Sequence, residues 1–69
     1  MSTATYEVTG MTCSHCVGSV TSEVQKVPGV TAVSVDLDTG RLEVGSEQGI
    51  DDAAVLGAVE EAGYAASRV

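Results

Sequence analysis

Two cysteines separated by two residues are the side chains in this sequence best suited to chemistry. Cys13 and Cys16 lie in the stretch Gly10-Met11-Thr12-Cys13-Ser14-His15-Cys16, and the sequence contains no other cysteine. Two thiolates at this spacing can contact one small ion, and soft thiolate ligands favour soft ions such as Cu(I). The sequence therefore predicts a site for a soft metal ion, most simply copper(I), with Cys13 and Cys16 as its ligands.

Three other uses of the cysteine pair stay open from the residues alone. A closed structural zinc site needs four ligands, whereas this stretch offers Cys13, Cys16 and at most His15. A dithiol redox site also places two cysteines at the start of a helix, but here no aromatic residue flanks the pair and the order of elements does not match. The third alternative is a pair of surface cysteines with no metal-binding role, although such residues are more often buried.

Three neighbours of the pair have a choice of roles. Met11 carries a thioether that can bind metal, but a methionine at this position is expected to fill the core and fix the loop. His15 is expected to face solvent, with a third ligand or a pH-sensitive modulator of the site as the alternative. Tyr64, which follows Gly63, is interpreted either as a core residue or as a lid beside the loop. The other tyrosine, Tyr6, is expected to be only a strand side chain.

The cysteine stretch falls between two regular patterns, which predict the elements that position it. Ala4–Thr9 alternates as a strand, and valines after the stretch recur at steps of three and four residues, as on the buried face of a helix. That helix is predicted to begin at Thr12 or Ser14. It should end near Lys26, because Pro28 disfavours helical geometry at the residue before it.

The rest of the sequence predicts a hairpin, a second helix and a last strand. Val30–Leu37 and Arg41–Val44 alternate as strands on either side of a turn. Leu37, at the end of the first of these strands, is predicted to lie on its buried face. Asp51 is the predicted N-cap of the second helix, which should stop at Gly63. Tyr64–Val69 is predicted to be a last, weak strand.

The order of these elements indicates a single domain over residues 1–69. Short connections and right-handed crossovers favour an α+β, ferredoxin-like βαββαβ sandwich, in which an antiparallel four-stranded sheet carries two helices on one face. Because the chain has 69 residues and no Phe or Trp, its core must be built from Val, Leu, Ile and Ala. Such a domain has no room for a buried catalytic cleft, so we expect no enzyme.

The excess of acidic residues argues against several kinds of partner. Ten acidic and three basic residues give a formal net charge of −7. Lys and Arg provide the affinity for nucleic acids and for anionic membranes, so neither is expected to bind. The acids keep a small protein soluble, or they steer it toward a basic surface on a partner. No stretch is long enough to span a bilayer and no secretory signal is visible, so we expect a cytoplasmic protein with reduced cysteines.

The cysteine stretch resembles the Gly-Met-Thr-Cys-x-x-Cys loop of heavy-metal-associated (HMA) domains. Glu61-Ala62-Gly63-Tyr64 is similar to the late Ala-Gly-Tyr segment of the same family, and the resemblance extends over nearly the whole chain. It implies that Cys13 and Cys16 bind Cu(I), that Met11 packs beneath the loop and that Tyr64 lies near it. Members are free copper chaperones or N-terminal modules of copper-transporting P-type ATPases, and mercury-binding relatives use the same loop.

From these residues and this resemblance we expect a cytosolic Cu(I) chaperone whose partner is a copper-transporting P-type ATPase. Two thiolates on an exposed loop leave coordination positions open, so a matching Cys-x-x-Cys on the partner can bind the ion before it is released. A sequence that starts at Met1 and ends after its last predicted strand favours a free chaperone over an ATPase module. A protein for mercury or another soft metal is the remaining alternative. The protein should be a monomer without copper, and two copies could share one copper ion as a homodimer.

Overall fold

The elements follow one another in the predicted order, strand, helix, strand, strand, helix, strand. The computed structural model describes residues 2–11 and 14–69. Its elements are β1 (Ser2–Thr9), α1 (Ser14–Gln25), β2 (Val30–Asp36), β3 (Arg41–Ser46), α2 (Asp52–Glu61) and β4 (Ala65–Arg68). Of the helices in these residues, none is long and apolar enough to cross a bilayer.

The strands form one antiparallel sheet in the order β2-β3-β1-β4. β1 is an inner strand, which pairs with β3 on one side and with β4 on the other. Its pairing with β4 runs from Tyr6↔Arg68 to Thr9↔Ala65. Since the cysteine stretch follows β1 directly, the pairing of β1 also determines where that stretch begins.

Both helices cover the same face of the sheet, as predicted. Alternate residues of a strand point to one face, so every second residue of β1 and β3 meets the inner sides of the helices. The core is built from Ala4, Tyr6, Val8, Val20, Val24, Leu42, Val44, Val55 and Val59, each at most 5% exposed. On β1 the intervening residues Glu7 and Thr9 are exposed, so the second face of the sheet contacts water.

The strand ends differ from the predictions by a few residues, and one difference exposes a side chain. β2 ends at Asp36, because the carbonyl oxygen of Asp36 accepts a 2.8 Å hydrogen bond from the Gly40 N–H and closes a turn. Leu37 therefore lies in the turn and is 37% exposed, so its predicted place on the buried face is wrong. β1 and β3 are longer than predicted, because their pairing continues to Ser2↔Ser46.

Both ends of α2 confirm the sequence prediction. The carboxylate of Asp51 accepts hydrogen bonds from the backbone N–H groups of Ala53 at 3.1 Å and Ala54 at 3.3 Å. After the helix, Gly63 has a φ of +94°, a left-handed conformation that glycine adopts without steric cost. The chain then reverses, and Tyr64 lies next to the end of the sheet where β1 stops.

Tyr6 is not only a strand side chain, as the sequence predicts, but also forms a hydrogen bond to a distant part of the chain. It is fully buried, and its hydroxyl donates a 2.6 Å hydrogen bond to Oδ1 of Asp52. The same oxygen accepts a 2.6 Å bond from Nη1 of Arg68, whose Cζ lies 5.6 Å from the centre of the Tyr6 ring. Burial and then the Asp52 hydrogen bond raise the pKa of Tyr6 to about 12, and that hydrogen bond lowers the pKa of Asp52. The Tyr6–Asp52–Arg68 cluster thus joins β1, α2 and β4.

Stability at alkaline pH tests the environment of Tyr6. The ordinary pKa of 10.0 rises to about 12 in the folded protein, so folding favours the neutral phenol. The stabilisation that the neutral Tyr6 phenol gives the folded state is complete below pH 10 and is lost as the pH rises toward 12. We expect the free energy of unfolding to fall by about 2–3 kcal/mol over this range, since one pKa unit corresponds to about 1.4 kcal/mol. Tyr6→Phe should remove this decline in chemical denaturation experiments.

The control for this experiment is Tyr64→Phe, which removes the other tyrosine hydroxyl and should keep the alkaline decline. At neutral pH, Tyr6→Phe should cost about 1 kcal/mol for the lost hydrogen bond. If the decline persisted unchanged in Tyr6→Phe, another group would have to be its source.

Candidate metal site

The predicted metal loop begins where β1 ends. Gly10 follows β1 with a φ of +92°, and Met11 is partly buried against the core. Thr12 and Cys13 lie outside the described residues, so the predicted helix start at Thr12 and the predicted ligand Cys13 both stay predictions. α1 begins at Ser14, the other predicted start.

Cys16 lies in the first turn of α1, on the side of the helix that faces the core. Val20 and Val24 follow it at intervals of four residues, and both are fully buried. Cys16 itself is 8% exposed. We expected both thiols on an exposed loop, and for Cys16 this expectation is wrong, because helical spacing places it over the core. Its position at a helix N-terminus also favours a negative charge, since the helix dipole places a partial positive charge there.

His15 points away from the core in the same helical turn. It is exposed and lines an open groove of about 580 Å³ between α1 and α2. Two carboxylates, Glu23 and Glu61, line the same groove, and Glu23 also forms a 2.8 Å ion pair with Lys26. The role of His15 as a third ligand or modulator stays a prediction.

Tyr64 lies against the first residue of the loop. A Cβ placed on Gly10 would be 3.3 Å from Cδ1 of the Tyr64 ring, so the ring packs on the loop backbone. Thr9 pairs with Ala65 at the end of the ladder, so Gly10 and Tyr64, which lie just beyond this pair, face each other. Tyr64 is also half-buried against the core. Tyr64 therefore lies both against the core and beside Gly10, while its predicted role as a lid stays a prediction.

The donors around Cys16 do not form a closed set. In residues 2–11 and 14–69, no three His, Cys, Asp or Glu side chains come together in a way that could hold an ion. A structural zinc site has four such ligands. Among the described residues, His15, Cys16 and the carboxylates of the groove therefore do not supply such a site by themselves.

Comparison with known proteins relates the chain to copper-handling domains. The heavy-metal-associated domain family matches residues 5–65. The chain is 43% identical to copper-transporting ATPase 2 of Rhizobium meliloti over 60 residues. The matched segment is 87% of this chain but only 7% of the ATPase. It is 35% identical to the copper chaperone CopZ of Bacillus subtilis over 65 residues, or 93% of this chain and 94% of CopZ. The chain thus spans a small part of the ATPase and nearly all of the chaperone.

A solved structure shows the same architecture. The crystal structure of a copper-binding domain from HMA7, a P-type ATPase, superimposes with a TM-score of 0.92 at 31% sequence identity. The match covers 100% of this chain and 95% of that one. The predicted ferredoxin-like sandwich is therefore confirmed by a relative as well as by the order of strands and helices.

Substitution of Gly10 tests its contact with Tyr64. An alanine there must hold a φ of +92° and press on the ring, whereas Gly49, with a φ of +116°, has nothing within 4 Å of an added Cβ. Gly49→Ala therefore measures the cost of backbone strain alone, about 1–2 kcal/mol. We expect Gly10→Ala to lower the free energy of unfolding by more than Gly49→Ala does, as measured by urea denaturation.

The same two substitutions in a Tyr64→Ala background separate strain from contact. Without the ring, the difference in cost between Gly10→Ala and Gly49→Ala should become smaller, because only the strain at the two φ angles remains. A difference that is the same with and without the ring would instead show that Tyr64 does not press on the loop.

Proposed function

Since this chain belongs to the heavy-metal-associated domain family, we propose that it is a cytosolic copper(I) chaperone. In this proposal Cu(I) is the cargo, the thiolates of Cys13 and Cys16 hold it, and the recipient is the metal-binding domain of a copper-transporting P-type ATPase. The observation that carries the proposal is the placement of a Cys-x-x-Cys across the start of α1, with Cys16 in the first helical turn. Thiolates at such a position suit a soft, monovalent ion.

The charge around the start of α1 supports an anionic copper complex. Two thiolates and one Cu(I) have a net charge of −1. The first N–H groups of α1 and its dipole place a partial positive charge where this complex would form. The first turn of α1 contains no acidic residue, so no carboxylate of that turn opposes the thiolates.

The burial of Cys16 supports an order for the transfer. Because this residue is 8% exposed, water and protons have little access to its sulfur, which should slow the breaking of a bond between that sulfur and copper. We therefore propose that a partner thiolate binds copper first, that the bond from copper to Cys13 breaks next, and that the bond to Cys16 breaks last. Copper remains Cu(I) throughout, and only metal–sulfur bonds form and break. The proposal therefore includes no enzymatic activity.

A metal-binding module of a copper-transporting ATPase is the second candidate. The 43% identity to a segment of such an ATPase favours it, while the match along nearly all of CopZ supports the chaperone. Both would use the same thiolates, and the fold does not distinguish them. Immunoblotting of fractionated cells does, because a chaperone is expected as a polypeptide of about 7.0 kDa and a module as part of a much larger membrane protein.

A copper titration tests the proposed ligands. The wild type should bind one Cu(I) tightly in anaerobic competition with a chromophoric chelator. Cys13→Ser and Cys16→Ser should each lose more than about 100-fold in affinity, because losing a ligand costs more than the 10–100-fold typical of losing a supporting residue. Circular dichroism should show that both variants stay folded.

Ser14→Ala is the matched control, since it alters one of the two exposed residues between the cysteines and should bind Cu(I) as the wild type does. Wild-type affinity in either cysteine variant would rule out the proposed ligand pair. Excess Zn(II) should not displace Cu(I) at the same pH, and displacement would overturn the choice of metal. Sedimentation during the titration would show whether two copies share one copper ion.

A further inference from the structure

Most side chains of β4 do not specify how the strand is aligned on β1. Its sequence is Ala65-Ala66-Ser67-Arg68, and it is an edge strand that pairs with β1 alone in the sheet as described. Register is specified where side chains fit only one position, and a run of small residues fits several. Within β4, Arg68 is therefore the side chain that can distinguish one alignment from another. Just before the strand, the N–H of Tyr64 also donates a 3.1 Å hydrogen bond to the carbonyl oxygen of Val59 in α2.

Arg68 makes contacts that require one alignment. It pairs directly with Tyr6 across the ladder, its Nη1 lies 2.6 Å from Oδ1 of Asp52, and its Cζ lies over the Tyr6 ring. Asp52 is held independently of β4, because it begins α2 and accepts the hydroxyl hydrogen bond of the buried Tyr6. A slip by two residues, the smallest that keeps the strand faces, moves Arg68 by about 7 Å and breaks these contacts.

The other end of the same ladder holds Tyr64 against the metal loop. Thr9↔Ala65 is the last pair, and the ring of Tyr64 packs on Gly10 immediately beyond it. The slip that separates Arg68 from Asp52 therefore also moves Tyr64 about 7 Å along β1 and away from Gly10. The two contacts exist together in one register.

The ion pair is better suited to selecting this register than to stabilising the fold. The side chains of Arg68 and Asp52 are 47% and 46% exposed, and half-exposed pairs contribute little to stability. A choice between two alignments of small residues, however, needs only a small free-energy difference.

We propose that Arg68 is a positioning residue for the metal loop, which aligns β4 on β1 and so places Tyr64 on Gly10. The placement in turn holds the start of the loop in the geometry that the thiolates need. This inference rests on the proposed function, because it assigns Arg68 an effect on Cu(I) binding.

A double-mutant cycle tests the proposal. Cu(I) affinity is measured by chelator competition for the wild type, Arg68→Ala, Tyr64→Ala and the double variant, at a temperature where each is folded. Loss of residues that orient metal ligands costs about 10–100-fold, and because Arg68 acts at one remove we expect about 10-fold for Arg68→Ala. With Tyr64 already absent, Arg68→Ala should change the affinity by less than about two-fold, since no ring remains to be placed.

A measurement without metal follows the ring itself. The nuclear Overhauser effect between the Tyr64 ring and the Gly10 α-protons should be present in the wild type and lost in Arg68→Ala. Arg68→Lys keeps a cation for Asp52 and should restore both this signal and most of the affinity. Lys26→Ala is the matched control, because it removes the cation of the Lys26–Glu23 pair at the end of α1 and should change neither.

The outcomes separate this inference from the proposed function. Persistence of the Tyr64–Gly10 signal in Arg68→Ala would overturn the inference, as would equal losses of affinity with and without Tyr64. A wild type that binds no Cu(I) would instead refute the proposed function, while the metal-free signal would still decide whether Arg68 places Tyr64.

Discussion

The structure depends on β1, whose side chains alternate between the core and solvent and whose backbone pairs with a strand on each side. Ala4, Tyr6 and Val8 face the helices and are buried, while β1 forms hydrogen bonds with β3 on one side and β4 on the other. A slip of one residue would move Glu7 into the core and Tyr6 into water, so the register of β1 is strongly specified. Gly10 is therefore positioned by the best-determined strand of the sheet.

The two ends of the predicted metal loop are held by different physical means. At its end, Cys16 is positioned by helix packing, because it shares a buried face with Val20 and Val24. At its start, Gly10 is positioned by β1 and by the ring of Tyr64. A side chain carried by a helix or a strand end is placed more accurately than one in a free loop.

The burial of Cys16 bears on the proposed function. In the proposed chaperone, the buried Cys16 would hold the ion against competing ligands from solvent, and Cys13 would be the ligand that exchanges first. The first turn of α1, which contains Cys16, has no acidic residue.

The sequence by itself determined the order of the elements, the two ends of α2 and the place of the cysteine pair between a strand and a helix. These features follow from local rules, namely the period of apolar residues, the capping of α2 by Asp51 and the left-handed conformation of Gly63. Only the tertiary structure decided that Cys16 is buried, that Leu37 is exposed, and that distant side chains meet. Tyr6 and Asp52 are 46 positions apart along the chain, and Gly10 and Tyr64 are brought together by the pairing of β1 with β4. Local periodicity carries no record of such contacts, because they depend on how a helix is rotated against the sheet and how one strand is aligned with the next.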